Sequence, residues 1–286
     1  MRNHPGSRRG FSLLELLIGL VIFAIIGALF TKLLTVQGRF FDKQGMSNAA
    51  RNVSRGSLNR IVSDFRMIET SGGVIAASST SLTARVPFAI GVVCATHPSG
   101  GTAVSMLPVD SVIYNAAGFY GYAWRNAITG AYTYVENPAA HDKTTGSNTC
   151  NGVAITTLPQ GRAARITPQI AGSSLGTPVF LYRRVRYEFK ASTAVPGKVG
   201  LYRTIIFPGG TEQSEELVAP FASTAKFRFF VAGDNSTAYD APPGDLKLIR
   251  GIELNLDGTS EIKAQGQNDY ENAPFTTAVF FKNRTT

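Results

Sequence analysis

Few side chains in this 286-residue chain are spaced to do chemistry. Its two cysteines, Cys94 and Cys150, can close one disulfide in an oxidising compartment, and a loop of more than about 50 residues closed in this way gains about 2–4 kcal/mol. Two unpaired thiols are the alternative. His97 and His141 lie nearby in sequence, but the four residues match no zinc-ligand spacing, so a bridge is expected rather than a metal centre. Asp234, Asn235, Asp240 and Asp245 gather hard oxygen ligands in a Gly/Pro-containing loop. That is calcium chemistry by residue type, although the spacing is not an EF-hand and a solvated turn uses the same residues. The sequence holds no P-loop, G-x-S-x-G, H-E-x-x-H or dinucleotide fingerprint, so neither catalysis nor a further cofactor is expected.

The remaining candidate is Glu15, a carboxylate set in the apolar run FSLLELLIGLVIFAIIGALFTKLLTV, which follows the basic leader MRNHPGSRRG. Phe11 to Phe30 forms a helix of about 30 Å at about 1.5 Å per residue, the hydrocarbon thickness of a bilayer. Arg2, Arg8 and Arg9, with no acid before Glu15, orient the leader toward the cytoplasm and place the bulk of the chain outside it. Ser12, Gly19 and Gly27 are small positions that let neighbouring helices approach. A carboxylate in a bilayer costs several kcal/mol unless it is paired or sits at a helix N-terminus, where free amides and the macrodipole favour negative charge. A secretory signal is cut beyond its apolar stretch; here the plausible cut lies before it.

Gly10 followed by Phe11-Ser12-Leu13-Leu14-Glu15 resembles the processing site of type IV prepilins and pseudopilins. The resemblance implies cleavage after Gly10 by a prepilin peptidase, N-methylation of Phe11, and retention of the helix as a single-pass inner-membrane anchor with a periplasmic C-terminal domain. It implies that Glu15 pairs with the N-terminal amine of an adjacent subunit during assembly. Partners on this reading are other pilins or pseudopilins, the inner-membrane assembly platform and membrane lipid. An uncleaved signal anchor with an interfacial Glu is the plainer alternative.

The elements behind this segment follow from periodicity. Met46, Ala49, Val53, Ile61, Phe65 and Ile68 recur at helical spacing between charged residues, which predicts an amphipathic continuation of the helix over residues 37–73 with one face on a globular domain. A bend or break is expected near Gly45 or Gly56. Strands are predicted over Leu82–Val86, Val179–Lys190, Gly200–Phe207, Lys226–Val231, Leu248–Leu256 and Thr277–Lys282. In Val179–Lys190, Val185, Tyr187 and Phe189 alternate with Arg184, Arg186, Glu188 and Lys190, one buried and one wet face, and a hairpin through Pro196-Gly197 leads to Leu201-Tyr202-Arg203-Thr204. This V-x-Y-x-F strand followed by LYR resembles PilW-type minor pilins and J-type minor pseudopilins of type II secretion.

The expected fold is therefore α+β: a pilin-like lollipop whose long N-terminal helix packs on an antiparallel sheet domain. The domains are a leader (1–10), a membrane and filament-core helix (11–36), its amphipathic continuation (37–73), and a β-rich domain (74–286) with a loop-rich insertion at about 91–176. The insertion carries Tyr114, Phe119, Tyr120, Tyr122, Trp124, Tyr132 and Tyr134, suited either to a protein or sugar surface or to a strand core. Loss of the leader's three arginines lowers the formal net charge from +9 to +6. Arg184, Arg186, Lys190, Lys226 and Arg228 can form a patch on one sheet face that attracts DNA, or one that meets lipid or a partner subunit. Three functions fit: a minor pilin, a minor pseudopilin, and a membrane-anchored protein that binds DNA or glycan.

Overall fold

The computed structural model describes residues 12–56, 58–96, 101–107, 109–110, 120–126, 130–136, 141–143, 149–150, 153–154, 162–170 and 172–281. Gly10, Phe11, His97, Tyr114 and Phe119 lie outside them. Helical residues run through α1 (Leu13–Gly56) and α2 (Leu58–Arg66). Gly45 lies inside α1 without interruption; Ser57, next to Gly56, is outside the described residues.

From Leu13 to Val36 the helix is exposed on every side, whereas beyond Met46 one side is covered. The covered side differs in detail from the periodic reading. Ala49 is exposed, while Ala50 and Ser54 are buried, joined by Ile61 and Phe65 of α2 and by Ile68. Small side chains are what permit close contact there, and hydrophobic periodicity gives them little weight.

The strands, all antiparallel in their pairings, are β1 (Val74–Ala77), β2 (Ser81–Thr96), β3 (Thr102–Met106), β4 (Gly121–Arg125), β5 (Tyr132–Glu136), β6 (His141–Lys143), β7 (Thr149–Cys150), β8 (Val153–Ala154) and β9 (Arg162–Ile166). There follow β10 (Pro178–Ala191), β11 (Val199–Ile206), β12 (Glu212–Phe221), β13 (Lys226–Val231), β14 (Asp234–Tyr239), β15 (Ile249–Asn255), β16 (Gly258–Thr259), β17 (Asn272–Ala273) and β18 (Thr276–Phe280). The large sheet has the order β17-β16-β12-β11-β10-β2-β3-β9-β6; β1 pairs with β2, and β4 joins β10 to β5. A second sheet has the order β14-β13-β15-β18, and β7 pairs with β8.

The long strands β2 and β10 pair from Glu188 opposite Ser81 to Pro178 opposite Val92, with the register shifted between Leu181 and Tyr182, where Phe88 is the extra residue and Pro87 borders it. Proline has no amide to donate, which is why it sits at the irregularity. On its other edge β10 is shared: β11 takes Arg184–Ala191 and β4 takes Val179–Tyr182. One pair of strands thus supports two cores. Ile61, Phe65, Val185, Tyr187, Phe189, Phe227 and Ile252 belong to the larger core, between α2 and both sheets; Val104, Met106, Tyr122, Ile166 and Leu181 belong to the other, under the segment between β2 and β10. The predicted boundary at Gly91 falls within β2.

The alternation predicted for β10 is observed, with Val185, Tyr187 and Phe189 buried and Lys190 exposed. Phe65 stands edge-on to Tyr187 at 5.3 Å between ring centroids and lies 6.3 Å from Phe227. Beside it a polar contact fixes α2 on the sheet: the Tyr187 hydroxyl donates to Asp64 Oδ2 at 2.7 Å, and Arg203 Nε donates to the same oxygen at 3.1 Å. Burial, then the Asp64 carboxylate, pushes the Tyr187 phenol's pKa up, so it remains a donor.

Truncating Phe65 to alanine in the detergent-solubilised chain should cost about 3–5 kcal/mol in denaturant unfolding, because its cavity lies between two rigid sheets. Truncating the exposed Phe40 should leave that transition within about 0.5 kcal/mol.

Candidate functional site: the exposed stem and its seat

The stem begins with a reciprocal cap. Glu15 N donates to Ser12 Oγ and Ser12 N donates to Glu15 Oε2, each at 3.2 Å. This is a capping box, in which an S-x-x-E sequence satisfies two amides left free at the first turn. Glu15 therefore sits where the helix dipole favours negative charge. The S-x-x-E spacing was legible in the sequence, although the apolar context drew attention to the charge alone.

Farther along, Thr31 Oγ1 donates to the Gly27 carbonyl at 2.8 Å and Thr35 Oγ1 to the Thr31 carbonyl at 2.9 Å. Both hydroxyls are thereby satisfied within the helix, as an apolar solvent requires. Leu13, Leu16, Leu20, Phe23, Leu29 and Phe30 are each more than half exposed. A Cβ added at Gly19 or Gly27 would meet nothing within 4 Å. The stem is long and apolar enough to cross a membrane, and the head covers none of its apolar span.

The seat holds the far end of α1 against the large sheet at backbone distance. Ser54 Oγ donates to the Ala273 carbonyl at 3.1 Å and accepts from Gly258 N at 3.0 Å. A Cβ at Gly258 would lie 2.2 Å from the Ala50 carbonyl oxygen, so only glycine lets β16 approach the helix this closely. Ala50, Ser54 and Gly258 were not singled out from the sequence, since their importance exists only once residues 204 positions apart are brought together.

The other candidates fall elsewhere. Cys94 lies in β2, its Sγ 3.4 Å from the Ala103 carbonyl oxygen, and Cys150 lies in β7, a strand beside β3. Asp234 Oδ1 accepts from Ser236 N, Ser236 Oγ and Thr237 N, and Oδ2 accepts from the Tyr239 hydroxyl. Asp240 instead pairs with Lys226 at 2.8 Å and Arg228 at 3.0 Å, and Asp245 caps a 3-10 turn through Lys247 N. Asn235 lies in β14, and its side chain is outside the described residues. Among the described residues no group of three or more His, Cys, Asp or Glu is assembled to hold a metal ion.

The five cations proposed for one face occupy two sheets. Arg184, Arg186 and Lys190 are on β10; Lys226 and Arg228 are on β13. Each has a carboxylate: Arg184 meets Glu136, Arg186 makes a two-pronged contact with Glu212, Lys190 meets Glu188, and Lys226 and Arg228 share Asp240. The five cations are thus divided between two sheets, and the acids beside them, Glu136 of β5, Glu188 of β10, Glu212 of β12, Glu253 of β15 and Asp240 just after β14, come from several segments that meet only when the strands pair.

The described aromatic side chains of the insertion are turned onto one another and onto β10. Tyr122 is buried, donates to the Pro168 carbonyl at 2.9 Å and stacks on Trp124. Tyr134 lies edge-on to Tyr182 at 5.8 Å, beneath Arg85, and Tyr120 lies beneath Arg184.

A carboxylate that the sequence did not flag organises the β10–β11 hairpin. Glu216 accepts from Thr193 N and Oγ1, Ala194 N and the Tyr202 hydroxyl, and also from Ser192 Oγ. Burial opposes its ionisation, but the hydrogen bonds from Ser192, Thr193 and Tyr202 outweigh it and hold the pKa down to about 2. A carboxylate with a depressed folded-state pKa contributes stability above its unfolded value, near 4.5, and loses it as pH falls toward 2. Glu216→Gln should therefore flatten the acid side of the stability profile between about pH 4.5 and 2, as followed by denaturant midpoints at each pH. Gly258→Val should disrupt the stem–head seat, with a loss of about 1–3 kcal/mol or more by the same measurement.

Residues 6–31 match the family model of the prokaryotic N-terminal methylation motif. The match runs through Gly10, Phe11, Ser12 and Glu15 and into the apolar half of α1, and it supports a chain of the type IV prepilin and pseudopilin type. The motif implies contact with a prepilin peptidase and with other pilin subunits, and with the apolar stem it fits anchoring in an inner membrane. Proteins of this type are typically structural. No curated protein and no solved structure matches the chain.

Proposed function

We propose that the chain is a non-catalytic minor pilin: a subunit cut after Gly10, methylated at Phe11, and used in the initiation or tip of a type IV pilus. The observation that carries this reading is the coincidence of the methylation motif at residues 6–31 with an apolar span, Leu13 to Val36, that the head leaves uncovered. An apolar helix of this length needs lipid before assembly and neighbouring helices after it, and Gly19 and Gly27 leave room for those neighbours. The large head, with its second core between β2 and β10, favours a specialised subunit over a repeated shaft subunit.

On this reading Glu15 has two successive roles. Before assembly it caps its own helix through Ser12; in the filament it meets the N-terminal amine of an adjacent subunit. The head stays on the periplasmic side, and Cys94 and Cys150 form a disulfide there. The position of Cys94 in β2, which pairs with β3, and of Cys150 in β7, a strand of a separate small sheet that touches β3, supports that pairing.

Mass spectrometry of the membrane-extracted protein should find a chain beginning at methyl-Phe11; an intact leader in cells with active prepilin peptidase would reject the processing step. Glu15→Ala should leave insertion and cleavage intact but lower filament number roughly tenfold or more, since loss of one partner of a desolvated pair costs several kcal/mol. Unchanged filament number would reject the intersubunit role. Deleting the gene should abolish piliation while sparing export of folded proteins through a type II system; the opposite phenotype would make the chain a minor pseudopilin.

A further inference from the structure

The segment between β16 and β17 leaves the sheet and descends along the stem. Its neck is closed by Ser260 N donating to the Glu271 carbonyl at 2.8 Å and by Glu271 N donating to Ser260 Oγ at 3.0 Å. A turn at its far end is held by Gln267 N donating to the Ala264 carbonyl at 3.0 Å, and Gly266 there has φ +78°. Arg39 packs against that tip: its guanidinium carbon and Nε lie 3.4 Å from where a Gly266 Cβ would be. Nearer the head, Lys43 Nζ is 3.7 Å from Glu271 Oε1. The loop therefore runs down α1 from the level of Ala50, opposite Gly258, to the level of Arg39.

Depth along the helix gives this contact its meaning. The apolar run ends at Val36, and Arg39 lies three residues on, about 4.5 Å farther along the axis. The polar layer on each side of a bilayer is about 5–8 Å thick. Leu13 to Val36 spans about 36 Å as a helix, slightly more than a hydrocarbon core of about 30 Å, an excess that tilt absorbs. A loop tip beside Arg39 must then lie in the headgroup layer. The tip itself is neutral and polar: Gln265 and Gln267 flank Gly266 and are exposed, Phe40 and Phe41, also exposed, stand at the same level of the helix, and the loop's exposed carboxylates, Glu261 and Asp269, lie nearer its neck in sequence. Lys263 and Lys198 approach the ring of Tyr270 at 5.3 and 2.9 Å, and Lys263 Nζ also donates to the Asn268 carbonyl.

We infer that the loop of residues 260–271 is a foot that rests on the bilayer: its tip, Gln265-Gly266-Gln267, contacts phospholipid headgroups beside Arg39 and sets the height of the head above the membrane. This rests on the reading of the stem as membrane-spanning. The foot gives the subunit a second, polar attachment that must be released when the stem leaves the bilayer for a filament.

The test uses tryptophan fluorescence of the full chain in phosphatidylethanolamine/phosphatidylglycerol vesicles. Trp124 is the single native tryptophan, on β4 at the end of β10 remote from the seat, and serves as the unquenched control. In Gln265→Trp and, separately, Gln267→Trp, the added emission should fall by about half with headgroup-nitroxide lipid and less with lipid brominated deep in the acyl chains, as for an interfacial residue. Leu29→Trp should show the reverse preference. Quenching of Leu29→Trp with none at either loop position overturns the foot and leaves the spanning stem intact; no quenching of Leu29→Trp by acyl bromines overturns both. Shielding of the loop tryptophans only at high protein density assigns the surface to a second copy and overturns the lipid contact.

Discussion

The close packing of the helix's far end on the large sheet is the constraint on which the rest of the molecule depends. Ala50 and Ser54 bring α1 to backbone distance of Gly258, and Ile61 and Phe65 carry the contact into the larger core. Most of the stability of a helix in a protein comes from packing one face rather than from propensity, and this surface supplies it to the far end of α1 and to α2. Because the seat begins only beyond Met46, the apolar half projects free, and the same contact that builds the head thus defines the stem.

Polar groups at this junction fix position more than they add stability. Asp64, Tyr187 and Arg203 meet beneath α2, with Arg203 only 3% exposed. Burying such a pair gains little over an apolar substitute, but leaving one member alone costs several kcal/mol, so only one placement of α2 on the sheet satisfies all three. Ser54 does the same for α1 through Gly258 and Ala273. Together they fix the stem's position against the head, and a foot alongside Arg39 has consequence only if that position is fixed.

Charge on the head is organised for the same end. The bases that looked like a patch in one dimension each lie beside an acid, Lys190 beside Glu188 of its own strand and others beside acids of separate segments, as Glu136 meets both Arg85 and Arg184. Aromatic rings fill the space under these pairs: Tyr134 and Tyr182 lie below Arg85, and Tyr120 below Arg184. Such contacts bind the insertion to β2 and β10. Composition alone had left open both an aromatic ligand surface and a basic one; pairing across strands consumes most of the residues that either would use.

What the sequence determined by itself was whatever depends on neighbours along the chain. The apolar run, the methylation motif, the S-x-x-E spacing of Ser12 and Glu15 and the alternation of β10 are all local, and their physics acts over one or two turns or strand positions. The strand β12 escaped because its polar first half, Glu212 to Glu215, reads as loop until β11 supplies its partner. Only tertiary structure decided that Ala50 and not Ala49 faces the sheet, that Gly258 must be glycine, that Glu216 collects five donors from a hairpin, and that residues near 266 lie beside residue 39. Those facts depend on contacts between distant segments, and no local preference encodes which distant backbone will arrive within hydrogen-bonding reach.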